Sequence, residues 1–216
     1  MTKKWAFVSD FDGTISKKDF YWIVIESYYP EGEELYKQWK NGEMKDIEFL
    51  STVFQATELS VEELNALIHK IPLDEGVFPF IDAVKQAGGD FIILSAGTDY
   101  YIHELIRYYD LPTIPVFSNR GSYENGGIQI YLDHSDPFYS ERYGIDKKTV
   151  IEALQKDYEF VFYYGDSEPD SHPARSADRM FAKDKLVSIL DEQNVGYEQA
   201  ETFADVHERL KSEGWV

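Results

Sequence analysis

Three short, continuous apolar runs, each followed by small or acidic residues, most constrain the fold of this 216-residue chain. Each run is rich in β-branched or aromatic side chains without polar alternation, which is typical of strands buried on both faces of a parallel sheet. Helical stretches separate the runs, and this alternation predicts βαβ units. We therefore expect an α/β fold with a doubly wound, Rossmann-like parallel sheet. The runs are residues 5–9, 91–94 and 160–164.

The stretch between the first two runs has a different pattern. It contains no convincing strand, and its apolar residues recur at helical spacing between turn-forming breaks. Ser60 with Glu63 has the spacing of a capping box, which predicts the start of a helix. We therefore expect a small helical cap over residues 16–76, inserted after the first strand of a core formed by residues 1–15 and 77–216.

Further elements follow from the same patterns. Asn125-Gly126 between apolar stretches predicts a β-hairpin over residues 123–130. Shorter strands are predicted at 114–117 and 179–182, and helices at 78–87, 100–109, 147–156 and 205–213.

Acidic side chains greatly outnumber basic ones. The chain has 40 Asp and Glu against 21 Lys and Arg, a formal net charge of 21 − 40 = −19, which disfavours binding to nucleic acid or to an anionic membrane. The sequence has no cysteine, which excludes disulfides and thiolate chemistry. With no signal-peptide core and no run of about 18 apolar residues, we expect a soluble cytoplasmic protein, a monomer or a homodimer.

Acidic and small residues follow each of the three central strands. Asp10 and Asp12 follow the first, Ser95 the second, and Asp166 with Asp170 the third. Because ligands bind outside the carboxyl ends of the strands in open α/β sheets, we expect these side chains to converge. Carboxylates gathered in this way repel one another unless a hard cation lies among them, and all-oxygen ligation suits Mg²⁺. Such a cation would also reverse the local field for an anionic substrate.

The sequence DFDGT at residues 10–14 resembles the nucleophile motif of the haloacid dehalogenase-like (HAD) phosphatases. Three further motifs of that family follow in order. Ser95 after an apolar strand is similar to the second, Lys147 opening a helix to the third, and GDSxxD at residues 165–170 to the fourth. The resemblance covers most of the chain, because this family places a small cap between its first two motifs. It implies Mg²⁺-dependent hydrolysis of a small phosphorylated metabolite.

The resemblance assigns catalytic roles to three residues. Asp10 would attack phosphorus and form an aspartyl-phosphate, which splits hydrolysis into two easier steps. Asp12 would protonate the leaving oxygen and then activate the hydrolytic water. Lys147 would place a positive charge against the phosphoryl oxygens and the nucleophile.

Further residues are assigned to substrate and metal. The hydroxyls of Thr14 and Ser95 would contact phosphoryl oxygens, and the loop with Ala96 and Gly97 leads into a helix N-terminus suited to phosphate. The implied Mg²⁺ ligands are Asp10, the backbone carbonyl of Asp12, Asp166 directly, and Asp170 through a metal-bound water.

Some assignments stay open in the sequence. Lys147 and Lys148 are adjacent, and Lys147 is favoured because it opens the helix and has the family's spacing to Ile151. His134 and His172 lie near predicted loops at the active end, as surface residues or as substrate contacts. The aromatic residues 20–22 form either the core of the cap or a ring that closes over the substrate.

Within the family, the small cap and the fourth motif resemble the phosphoserine-phosphatase-like branch. Residues 95–101, the hairpin ending at 128–130, and Lys147 with Val150 and Ile151 are most similar to the methionine-salvage phosphatases of that branch. Those enzymes carry a cysteine-rich stretch ahead of the lysine, whereas residues 134–140 contain no cysteine. A phosphoserine phosphatase-like activity is the alternative, although no cap acid and arginine for the ends of an amino acid are evident.

A receiver-type phosphoacceptor module is an alternative from another class, since it also carries an acceptor aspartate and Mg²⁺ carboxylates on a doubly wound sheet. Asp12, two residues after the nucleophile, and the predicted cap both argue against it. A noncatalytic binding protein is disfavoured because Asp10, Asp12, Lys147 and Asp166 are all present.

Overall fold

The computed structural model describes residues 4–216, so the first three residues of the predicted core segment 1–15 lie outside the described residues. The strands are β1 (Trp5–Ser9), β2 (Asp90–Thr98), β3 (Val116–Glu124), β4 (Gly127–Tyr131), β5 (Tyr139–Ser140), β6 (Gly144–Ile145), β7 (Phe160–Gly165), β8 (Arg179–Ala182) and β9 (Glu198–Gln199). The α-helices are α1 (Phe20–Tyr28), α2 (Gly32–Lys40), α3 (Asp46–Gln55), α4 (Val61–Ile68), α5 (Val77–Gln86), α6 (Asp99–Tyr108), α7 (Lys147–Leu154), α8 (Glu168–Ser171), α9 (Asp184–Gln193) and α10 (Phe203–Ser212).

Seven strands form one sheet in the order β4-β3-β2-β1-β7-β8-β9, which is parallel except for the edge strand β4. The central strand β1 pairs with β2 and β7, and Ser9 at its end lies opposite Ile93 and Tyr164. The carboxyl ends of these three strands therefore lie side by side. The predicted α/β fold with a doubly wound sheet is confirmed.

The sheet is covered by helices on both faces, which explains why its central strands are continuous apolar runs. Phe7 on β1 packs against Phe80 of α5 and lies close to Phe203 of α10, with ring centroids 4.6 and 6.4 Å apart. Its neighbour Val8 points to the opposite face and belongs to a second buried cluster that includes side chains of α7 and α9, such as Val150. All five residues of β1 are buried.

Two strands differ in length from the prediction. Strand β2 continues to Thr98, so Ser95, Ala96 and Gly97 lie within it and not after it. The next strand was predicted to begin at Ile114 but begins at Val116, since prolines at 112 and 115 have no N–H for the ladder. It then runs into the predicted hairpin, where Asn125 and Gly126 both have positive φ, as a tight hairpin turn requires.

Four helices, α1 to α4, lie within residues 16–76. The two ends of this segment are held together by an isolated antiparallel bridge between Ser16 and Leu73. Lys17 N–H also donates to the carbonyl oxygen of Pro72 at 2.7 Å. The predicted capping box at the start of α4 is present, with Ser60 and Glu63 donating and accepting reciprocally.

The sequence patterns did not predict α9, a helix of 10 residues. Helix α9 buries Leu186 and Leu190, which are four residues apart on one face. Helix α7 ends at Leu154, two residues before the predicted end. Within residues 4–216, no helix combines the length and the apolar character that crossing a membrane requires.

Candidate active site

A cavity of about 220 Å³ lies at the carboxyl ends of β1, β2 and β7, below side chains of α1, α2 and α3. This volume is under the roughly 300–1,000 Å³ of sites for drug-sized ligands, so it suits a small metabolite. The predicted site residues that line it are Asp10, Asp12, Ser95, Ala96, Gly97, Lys147 and Asp166. Thr14 and Asp170 are buried behind this lining.

Asp10 and Lys147 form a buried ion pair at the floor of the cavity. Lys147 Nζ lies 2.7 Å from Asp10 Oδ1 and 2.6 Å from Asp170 Oδ1. Burial alone would lower the pKa of Lys147, but the two carboxylates together raise it, so the lysine stays charged. Lys148 points outward and pairs with Glu152 at 3.6 Å, so the structure brings Lys147, and not Lys148, to Asp10.

Burial raises the pKa of Asp10 well above its ordinary value, and the nearby Asp170 raises it further. Lys147 opposes this rise by attracting the carboxylate. Burial is the largest cause of this rise, and the charge of Lys147 does not cancel it.

The carboxylate of Asp170 is saturated with donors. Its Oδ1 accepts hydrogen bonds from Lys147 Nζ and from the hydroxyl of Tyr163, each at 2.6 Å. Its Oδ2 accepts from the backbone N–H groups of Asp166 and Ser167, each at 3.1 Å. Gly165 permits this approach, because a Cβ there would collide with Asp170. Since a carboxylate has about four acceptor sites, Asp170 is suited to holding Lys147 and the loop, with little capacity left for a metal ion.

Asp166 lies beside the loop that follows β1. Thr14 was assigned to phosphoryl oxygens; its hydroxyl donates to Asp166 Oδ1 at 2.9 Å, and Thr14 is not part of the cavity lining. Gly13 has φ +83°, and a Cβ at this position would collide with Asp166. Burial, and then the charge of Asp170, raise the pKa of Asp166 to about 8.

Asp12 is held by two donors from different parts of the chain. The hydroxyl of Tyr101 donates to its Oδ2, and the backbone N–H of Phe20 donates to its Oδ1 at 3.1 Å. Burial and the neighbouring Asp19 raise the pKa of Asp12 to about 7, against the lowering effect of both hydrogen bonds. A carboxyl group with this pKa can give or take a proton near neutral pH.

One carboxylate oxygen from each of Asp10, Asp166 and Asp170 lies within 4.8 Å of the others, so a metal ion held by Asp10 and Asp166 would lie next to Asp170. Among the described residues, Oδ2 of Asp10 and Oδ2 of Asp166 receive no hydrogen bond, so both remain available as ligands. Oxygen-only donors and uncompensated negative charge fit Mg²⁺. The residues present therefore fit the predicted cofactor, with Asp170 as a supporting carboxylate.

Ser95 and the two residues after it line the cavity from β2. Ser95 Oγ accepts a hydrogen bond from the N–H of Gly97 at 3.0 Å. Thr98 N-caps α6 by accepting from the N–H of Tyr100. The strand end with Ser95, Ala96 and Gly97 therefore lines the cavity, whereas the capping residues Thr98 and Tyr100 are not part of its lining.

Apart from Tyr21, which belongs to the aromatic stretch at 20–22, the residues that form the roof of the cavity were not predicted. It combines apolar side chains with charged groups, and α1, α2, α3, the β5–β6 loop and the starts of α8 and α9 each contribute. The residues are Asp19, Tyr21, Trp39, Lys40, Asp46, Leu50, Phe54, Arg142, Tyr143, Glu168, Pro169 and Lys185. For the residues on α1, α2 and α3, the sequence shows only the spacing of amphipathic helices, and that spacing does not indicate which helix face contacts a ligand.

The histidines and the aromatic stretch have distinct surroundings. His172 lies outside the cavity lining and approaches Glu168 at 3.2 Å, while His134 contacts the ring of Tyr139. Of the three aromatic residues at 20–22, only Tyr21 lines the cavity. Phe20 is fully buried in the core between the cap helices and α6.

Comparison with known proteins agrees with this geometry. The model of the haloacid dehalogenase-like hydrolase family matches residues 7–175. The chain belongs to this family, and it is a phosphoric monoester hydrolase.

Two relatives are 30% identical over 206 residues, covering 94% of this chain and 94% of each relative. Both are named 2-hydroxy-3-keto-5-methylthiopentenyl-1-phosphate phosphatase, one from Bacillus thuringiensis (strain Al Hakam) and one from Bacillus cereus (strain AH187).

Solved structures share the fold at lower sequence identity. A HAD-family hydrolase of Salmonella enterica serovar Typhi has a TM-score of 0.72 at 18% identity, covering 91% of this chain and 67% of that one. A substrate-bound phosphoserine phosphatase has a TM-score of 0.70 at 17% identity, covering 98% and 99%.

Proposed function

We propose that this protein is a Mg²⁺-dependent phosphatase that hydrolyses a small phosphomonoester through an aspartyl-phosphate on Asp10. The observation that carries the proposal is the pairing of Asp10 with the buried Lys147 at 2.7 Å on the cavity floor, with the acid Asp12 two residues away. A lone carboxylate repels a phosphate, whereas a carboxylate beside an ammonium group can approach one.

In the first step, an oxygen of Asp10 attacks phosphorus while the bond from phosphorus to the ester oxygen breaks. Asp12 gives its proton to that oxygen, so the leaving group departs as an alcohol. Lys147 holds the nucleophile and faces the negative charge of the phosphoryl oxygens. When bound, Mg²⁺ would be held by Asp10 and Asp166 and would neutralise charge on the phosphoryl group.

In the second step, water attacks the phosphorus of the aspartyl-phosphate and gives a proton to Asp12. The bond from phosphorus to Asp10 breaks, which restores both carboxyl groups and releases inorganic phosphate. The pKa of Asp12, about 7, suits both halves of this cycle, since the same group must first lose and then accept a proton.

We propose that residues 16–76 act as a cap over this reaction. Their helices supply the roof of the cavity, and both ends of the segment meet at the bridge between Ser16 and Leu73. Two short connections that meet at one point can serve as a hinge, and closure of the cap would exclude water before phosphoryl transfer.

We propose 2-hydroxy-3-keto-5-methylthiopentenyl-1-phosphate as the substrate, because proteins of that name are similar to this chain over almost its whole length. The roof supports a substrate with an apolar end, since Trp39, Leu50 and Phe54 line it. Phosphoserine fits less well, because the guanidinium group of Arg142 is already paired with Asp46 at 2.8 Å.

The test is a turnover assay of the purified protein with Mg²⁺, comparing this substrate with phosphoserine and with p-nitrophenyl phosphate. We expect EDTA to abolish turnover, Mg²⁺ to restore it, and the methylthio substrate to be preferred. Asp10→Asn should remove turnover, while the matched control Asp82→Asn, at an exposed position, should retain it. Full activity of Asp10→Asn would refute the mechanism, and a stable phosphorylated Asp10 without turnover would favour a receiver module.

A further inference from the structure

Tyr101 is the one side chain that donates a hydrogen bond to Asp12 among residues 4–216. Its hydroxyl contacts Oδ2, whereas Oδ1 receives the backbone N–H of Phe20. Tyr101 lies on α6, which follows the strand end carrying Ser95. None of the sequence motifs assigned a role to this tyrosine.

The ring of Tyr101 is fixed by its packing. It is fully buried, and its centroid lies 5.7 Å from Phe11, 5.0 Å from Phe20 and 5.9 Å from Phe54. Its hydroxyl reaches Asp12 across Gly97, where any Cβ would collide with that hydroxyl and with Asp12. The backbone at Gly97 is therefore shaped to let this contact form.

We propose that Tyr101 is a positioning residue that orients Asp12 for proton transfer to the leaving group; this inference rests on the proposed phosphatase function. As Asp12 gives its proton to the ester oxygen, it becomes a carboxylate. The hydroxyl of Tyr101 then donates to an anion, and such charge-assisted hydrogen bonds are stronger than neutral ones. The contact therefore stabilises the state in which the proton has moved.

Burial raises the pKa of Tyr101 well above its ordinary value, and Asp12 raises it further. The hydrogen bond to Oδ2 and the close approach across Gly97 define the role of Tyr101 as a donor to Asp12. Phe20 is the first residue of α1, and its N–H donates to Oδ1 of Asp12. This second hydrogen bond links the orientation of the Asp12 carboxyl group to the position of α1.

The dependence of kcat on the leaving group distinguishes the positioning role of Tyr101 from a purely structural role. An alkoxide is a poor leaving group and needs the proton, whereas p-nitrophenolate departs readily without it. We expect Tyr101→Phe to lower kcat for an alkyl phosphate by about 10–100-fold and kcat for p-nitrophenyl phosphate by about threefold or less, with KM little changed. The ratio of the two rates does not depend on the fraction of protein that is folded.

The matched control is Tyr164→Phe, which removes another buried hydroxyl that donates to the carbonyl of Ala200 at 3.0 Å, away from the cavity. Its rate ratio should equal that of the wild type. If Tyr101→Phe does not fold, Phe20→Leu, which loosens the packing of Tyr101 outside the cavity lining and keeps the backbone N–H of residue 20, should lower the same ratio to a smaller extent. An unchanged ratio in the tested variant would overturn the role of Tyr101. Absence of turnover on both esters in the wild type would instead refute the proposed function.

Discussion

The ammonium group of Lys147 lies between two carboxylates, 2.7 Å from Oδ1 of Asp10 and 2.6 Å from Oδ1 of Asp170. All three side chains are almost fully buried. Buried charges are costly unless they are paired and hydrogen-bonded, and this row of alternating charges meets both conditions. The ion pair with Asp170 holds the ammonium group of Lys147 in place, and Lys147 in turn holds the carboxylate of Asp10, the proposed nucleophile.

Lys147→Ala should lower kcat by about 100–1,000-fold, since it removes the positive charge that faces both nucleophile and phosphoryl group. The neighbouring Lys148→Ala is the matched control, because Lys148 is paired only with Glu152 at 3.6 Å. Steady-state kinetics on one phosphomonoester measure both variants. Equal losses in the two variants would show that the buried position of Lys147 has no catalytic consequence.

Asp170→Asn should destabilise the protein by about 3 kcal/mol, because an amide group replaces an acceptor of four hydrogen bonds and half of a buried ion pair. Urea unfolding gives the free energy of unfolding. Asp157→Asn is a control on the surface, where the expected change lies within about 0.5 kcal/mol. A variant as stable as the wild type would contradict the structural role of Asp170.

The sequence predicted those parts of the fold and site that depend on local pattern. Strand β1 is predicted residue for residue, because a buried run followed by Asp10 has a sharp polar boundary. Lys147 is favoured over Lys148 because it opens a helix and has the family's spacing to Ile151, and the structure places its ammonium group 2.7 Å from Asp10. The hairpin at Asn125 and Gly126 follows from positive-φ turn chemistry.

Contacts between distant segments could not be predicted in this way. Tyr101 meets Asp12 across 89 positions of sequence, and Arg142 meets Asp46 across 96. The first pair depends on how α6 packs beside the loop after β1, and the second on how α3 meets the β5–β6 loop, and no local spacing encodes either. Thr14 shows the same limit, since its hydroxyl has one hydrogen to donate and only the fold brings Asp166 to it.

Mg²⁺ should bind more tightly as pH rises. The pKa of Asp166 is about 8 without metal, and that of Asp10 is also raised, so both carry protons at lower pH that a cation must displace. We expect the Kd for Mg²⁺ to fall by about 50- to 100-fold between about pH 6 and about pH 8.5, with proton release on binding. Isothermal titration calorimetry in buffers of different ionisation enthalpy measures both quantities. Asp166→Asn should weaken binding, and a pH-independent Kd would contradict the assignment of these carboxylates as ligands.

Stability should also depend on His172, which approaches Glu168 at 3.2 Å. The hydrogen bond to Glu168 raises the pKa of His172 above its ordinary value, so its contribution is full below the unfolded pKa of about 6.5 and is lost as pH rises through the folded value. The hydrogen bond to His172 lowers the pKa of Glu168 to about 2, so that carboxylate's contribution is lost only as the pH falls through that value. The pair therefore stabilises the protein most between about pH 5 and about pH 6.5.

Both partners are partly exposed, so solvent screening limits the effect to about 0.5 kcal/mol. Relative to wild type, His172→Gln should be destabilised by this amount near pH 6 and by less near pH 9, as measured by urea unfolding. The exposed His103 on α6, whose side chain has no ion-pair partner among residues 4–216, provides the control variant His103→Gln, for which no destabilisation of this size is expected near pH 6. If His172→Gln lost more free energy of unfolding at high pH than near pH 6, a charged His172–Glu168 pair would be excluded.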